Sequence, residues 1–131
     1  MTDTGLLLHG VEFKDKVHFD FTVRLPVIRD TINALSDTQS ALGTTDGAAA
    51  TTYYRVAVIA SALVTLGDID KDAITTNLLL DALTDDDFDL IDTQISAIKK
   101  KRMALNQSLL DIGLLSSPSE STDSVSNKSA Q

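Results

Sequence analysis

The sequence predicts an α+β fold, mainly α: an N-terminal β-hairpin followed by about four helices and a disordered C-terminal tail. Three observations carry this expectation. Residues 17–25, "VHFDFTVRL", alternate apolar and polar side chains strictly, the period of a half-buried strand. From Ile28 onward the apolar residues recur at intervals of three and four, the period of a helix. Residues 116–131 contain seven serines and one sizeable aliphatic side chain, Val125, too little apolar surface to offset the entropy of ordering them. The length of 131 residues suits one domain, assigned to residues 1–115, with 116–131 as its tail.

The hairpin is expected over 5–25. "LLLHGVEF" supplies a first strand, and "KDK" at 14–16 supplies the turn. In the second strand Val17, Phe19, Phe21, Val23 and Leu25 form the apolar face, with His18, Asp20, Thr22 and Arg24 on the polar one. Pro26 then ends the strand and opens a helix, because proline has no N–H and its fixed φ suits a first helical turn. This helix is expected over 27–36 with Ile28, Ile32 and Leu35 as its one apolar stripe and Arg29, Asp30 and Asn33 pointing elsewhere, and "SDTQSALGTTDG" reads as a loop.

The next helix, 48–66, has few polar positions. It is expected to be the central one, ending at Gly67 as a cap. A short helix at 72–82 turns Ile74, Leu78, Leu79 and Ala82 inward. The last helix is expected over 85–112. Thr84 is its N-cap, five aspartates crowd its first turns, and "KKKR" at 99–102 follows later, an order that complements the helix dipole. Its apolar positions Phe88, Ile91, Ile95 and Ile98 continue as Leu105, Leu109 and Ile112. A helix of these 28 residues is about 42 Å long, against a radius of gyration of about 13 Å for such a domain. Its distal end is therefore expected to leave Leu105, Leu109 and Ile112 exposed, for self-association into a homo-oligomer or for client capture. The alternative is a break near Asn106, with the last leucines folded back.

Composition excludes most chemistry. The chain has no cysteine, so disulfides and thiolate metal sites are out, which fits a reducing compartment. Eleven Lys and Arg stand against nineteen Asp and Glu, a net charge of -8, which argues against nucleic acid and against anionic membranes as partners. The least polar stretch, residues 48–67, contains Arg55 and reads as a buried helix, not a membrane span. The N-terminus has no basic region and does not read as a signal peptide. "DIDKDAITTNLL" begins like a calcium loop but has Ala73 where glycine belongs and Leu79 where a bidentate glutamate belongs. His9 and His18 have no serine or thiol motif beside them, so no enzyme, cofactor or metal site is expected. Arg24 and Arg29, flanking Pro26, are candidate partner contacts or ordinary surface arginines.

Arg24, Pro26, Arg29 and Asp30, followed by an aliphatic helix ending at Leu66-Gly67 and by "LLLDALTDDDFDLI", resemble the small tail assembly chaperones of Mu-type contractile-tailed phages. The likeness spans about residues 6–100. It implies a non-enzymatic protein of the host bacterial cytoplasm that binds the helical, aggregation-prone tape measure protein, assists tail tube assembly, and is absent from the mature virion. Two other readings remain open: a structural head–tail connector or baseplate adaptor, and an acidic decoy for a nucleic-acid-binding protein.

Overall fold

A computed structural model describes residues 1–111. Residues 112–131, with Ile112 and the serine-rich tail, lie outside the described residues. The chain divides into two units, residues 1–98 and 99–131.

The first unit is α+β and mainly α. Strands β1 (Thr2–Phe13) and β2 (Lys16–Arg24) form the expected antiparallel hairpin. Its two turn residues, Lys14 and Asp15, both have positive φ, the conformation that matches strand twist in a two-residue hairpin. A third strand, β3 (Leu63–Leu66), pairs with β2, so β2 is central in a sheet of order β1-β2-β3. The helices are α1 (Ile28–Leu42), α2 (Ala48–Ala62), α3 (Thr76–Ala82) and α4 (Asp85–Asp111), with a single 3-10 turn at Lys71–Ala73 before α3. Of α4, residues 85–98 belong to this first unit.

One apolar cluster joins the layers. Phe21, Val23, Leu63 and Leu66 of the sheet meet Ile59 of α2, Leu79 of α3 and Ile91, Ile95 and Ile98 of α4. Helix α2 buries six residues, four of them alanine, more than any other helix, which its composition predicts. Alanine removes bulk, so neighbouring elements approach closely.

Several expectations are corrected. Helix α1 runs to Leu42 and does not end at residue 36. Gly43, with φ of 75°, is its C-terminal cap, and its N–H bonds to Gln39. In the added turns Thr38 is buried and satisfies its hydroxyl on the Ala34 carbonyl. Ile28, Ile32 and Leu35 do not face the core: they are 78%, 50% and 42% exposed. The buried positions of α1 are Asp30, Ala34 and Thr38.

Helix α2 stops at Ala62, four residues before the expected end, because "LVTL" adds to the sheet as β3. Gly67 is therefore not a helix cap. Its φ is 55°, its N–H bonds to Asp20, and a Cβ there would come within 2.1 Å of the His18 ring. His18 is consequently buried, against the expected polar face, and its Nδ1 accepts the Asp68 N–H at 3.3 Å. Val17 and Phe19 are exposed, although alternation placed them on the buried face. Residues 72–82 are not one helix, since Thr75 interrupts them and caps α3 by accepting from Leu78.

Candidate partner-binding surface

The junction between β2 and α1 is held by a charge network. Arg24, the last residue of β2, forms a two-pronged pair with Asp30: Nη1 donates to Oδ2 at 2.7 Å and Nη2 to Oδ1 at 3.0 Å. The same guanidinium donates to the carbonyls of Leu25 (3.1 Å) and Ser61 (2.9 Å). Asp30 also accepts the Val27 N–H at 2.7 Å, which satisfies a free donor at the start of α1. Arg24 thus ties the strand, the first turn of α1 and the last turn of α2 together.

Lys71 completes the cap on α2. Its Nζ donates to the carbonyls of Ala60 (3.1 Å), Ser61 (3.3 Å) and Leu63. The last carbonyls of a helix lack intrahelical partners and carry partial negative charge, so two cations there are favourable. The hydrogen bonds from Arg24 hold the Asp30 carboxyl below the usual carboxylate range, against the effect of burial. Burial pushes the Lys71 ammonium down, and the neighbouring Arg24 charge adds to this.

This network determines how α1 presents itself. With Asp30, Ala34 and Thr38 turned inward, and α1 packed on α2, the stripe of Ile28, Ile32, Leu35 and Leu42 lies roughly a third of a turn away and faces solvent. Val27 extends it at the helix start. The spacing of 28, 32, 35 and 42 is that of a seam between two helices, interrupted only by Gln39. Exposed apolar stripes of this kind mark interaction sites.

A second feature fixes the other end of the sheet. Between the pairs Leu6–Asp20 and Val11–His18, four residues of β1 stand opposite Phe19 alone. This bulge points three successive N–H groups, those of Leu8, His9 and Gly10, at the buried carboxylate of Asp87, at 2.6, 3.0 and 3.0 Å. Such a run of amides is an anion nest, and Asp87 fills it from within the chain. Asp87 also donates its own N–H to Thr84 at 3.2 Å, as expected for an N-cap.

The residues singled out from sequence are placed as follows. Arg24 is spent on internal partners. Arg29 is exposed beside the α1 stripe and makes no ion pair among the described residues. In the second unit Leu105 is exposed and Leu109 half-buried. Sequence reasoning found the α1 stripe and named Asp30 and Asp87, but it missed the Asp30–Arg24 pair behind the stripe, the role of Lys71, and the binding of Asp87 to the β1 bulge. Their signals were present: Asp30 is the third helical residue after Pro26-Val27, and Asp87 is three residues after Thr84. Among the described residues no three acidic or histidine side chains gather to hold a metal, and no helix is long and apolar enough to cross a membrane. No protein-family model matches the chain, and neither does any curated protein or solved structure.

Proposed function

We propose that this protein is a tail assembly chaperone of a contractile-tailed phage, a non-enzymatic binding module for the tape measure protein. The observation that supports this reading best is the outward stripe of α1. An aliphatic seam at helical spacing lies open while the polar side of the same helix is locked to the body. A helix presented this way meets another helix through anchors at i, i+4 and i+7. A long helical client with its own apolar stripe would be shielded by many such copies, and their acidic surfaces would keep the assembly dispersed. On this reading Arg29 borders the client surface, Arg24 supports it from behind, and the protein acts in the bacterial cytoplasm and leaves before the virion is complete.

The test is co-expression with the tape measure protein of the same genome. Wild-type chain is expected to keep the client soluble and to co-purify with it. Ile28→Asp with Ile32→Asp is expected to abolish both without unfolding the chain. Soluble client with the double variant would refute the surface. A structural copy number in purified virions would refute the chaperone reading in favour of a connector or baseplate adaptor.

A further inference from the structure

The charge of the chain is divided unequally. Residues 1–98 carry sixteen Asp and Glu against six Lys and Arg, a net -10. Residues 99–111 carry Lys99, Lys100, Lys101 and Arg102 against Asp111, a net +3. A basic segment on an acidic protein has its complement on any second copy. The same segment is also apolar: Met103, Leu105 and Leu110 are each more than half exposed. Helical periodicity puts Lys99, Met103 and Leu110 on one face, at i, i+4 and i+11, with Arg102 at its edge. Arg102 moreover stands where the seam of Ile91, Ile95 and Ile98 would continue, between Ile98 and Leu105. A cation on that seam disfavours burying residues 102–109 in an apolar core.

The first unit has a groove of matching chemistry. A cavity of about 460 Å³ lies between α2, α3 and the start of α4. Leu79, Leu83 and Phe88 line it, and Asp85 and Asp89, one helical turn apart, edge it. One cation, Arg55, stands in its wall, 4.8 Å over the Phe88 ring and 3.9 Å from Asp92, against the two acids of the rim.

We propose that residues 99–111 of one copy dock in this groove of a second copy. Met103 and Leu110 enter between Leu79, Leu83 and Phe88, while Lys99 and Arg102 meet Asp89 and Asp85. Both halves of the contact belong to α4, with acids in its first turns and bases later. Each copy therefore offers one basic segment and one acid-rimmed groove, and exchanging the segments gives two equal contacts. The inference is independent of the chaperone reading and concerns self-association alone.

The test uses the full chain. Sedimentation is expected to show a dimer whose dissociation constant rises roughly tenfold or more between about 0.05 M and about 0.5 M salt. Zero-length carbodiimide coupling of mixed isotopically light and heavy chains is expected to join Lys99 to Asp85 or Asp89 between chains. Lys99→Glu with Arg102→Glu should weaken the dimer, as should Asp85→Lys with Asp89→Lys. Mixing these two variants should restore it, because each then offers what the other lacks. A monomer at every concentration, association indifferent to salt, or crosslinks confined within one chain would each overturn the proposal. So would failure of two folded variants to rescue each other. If the groove variant does not fold, the salt dependence and the crosslinks of the wild-type chain decide alone.

Discussion

Arg24→Ala is the perturbation that separates a structural arginine from a contact arginine. The change removes four donated hydrogen bonds: two to Asp30, one to Leu25 and one to Ser61. It leaves the Asp30 carboxylate, 8% exposed, with the Val27 N–H as its remaining short partner. Breaking a buried pair from one side costs about 3–5 kcal/mol, because the orphaned charge stays out of water. Here the arginine side chain is 36% exposed, so water can replace part of the guanidinium, and the cost is reduced to about 2–3 kcal/mol. In a unit of 98 residues that lowers the melting temperature by roughly 10–20 °C. Urea and thermal unfolding followed by circular dichroism measure it. Adding Asp30→Asn should recover part of the loss, because the neutral amide no longer strands a charge. Arg29→Ala should stay within about 0.5 kcal/mol of wild type. An Arg24→Ala chain equally unperturbed would refute the argument, and with it the claim that this network sets the face of α1.

Other expectations are readily measured. Asp87→Asn keeps one acceptor oxygen but loses the charge facing three amides, and should destabilise by about 2–4 kcal/mol in urea unfolding. Leu63→Ala, at a fully buried site, should cost about 2–5 kcal/mol, and an unchanged melting temperature would contradict its place in the core. The Asp30 carboxyl is depressed in the folded state, so its contribution is complete above the ordinary aspartate range near pH 4 and fades as pH falls through the lower folded value; Asp30→Asn should flatten that acid limb. Lys71 is also depressed, but as a base. Between its folded value and the ordinary value near 10.4, the unfolded chain binds more protons, so stability should rise with pH there, and Lys71→Met should remove that slope.

The fold class was legible because its signals are local. Alternation over residues 17–25 marks a strand whatever lies beside it, and Pro26 marks its end. What failed depended on neighbours. "LVTL" continues the apolar composition of α2, and four residues cannot show by themselves that β2 has a free edge to offer them. His18 read as polar-face because alternation assumes an unbroken ladder. The bulge in β1 and the backbone of Gly67, which leaves room for an imidazole, are contacts between segments distant in sequence. Asp87 is the sharpest case. Its place three residues after Thr84 sets it apart from the other four aspartates as a helix-start residue, but only the Leu8–Gly10 bulge shows that its carboxylate is buried in a nest of amides.

The inverted orientation of α1 follows from the same limit. Periodicity gives the angle between a helix's apolar and polar faces; it does not say which of them the rest of the chain will take. In α1 the competing face holds Asp30, Ala34 and Thr38, and each has a specific reason to be inside. Asp30 has Arg24, Ala34 lets α1 lie close to α2, and Thr38 answers its own hydroxyl within the helix. Placing Ile28 and Ile32 inward instead would bring isoleucine bulk to the α2 interface and expose the Arg24–Asp30 pair. The chain therefore leaves its best hydrophobic stripe unused in its own core. Arg24 is thus the residue on which the outward presentation of this stripe depends, and its loss should be felt first in the orientation of α1.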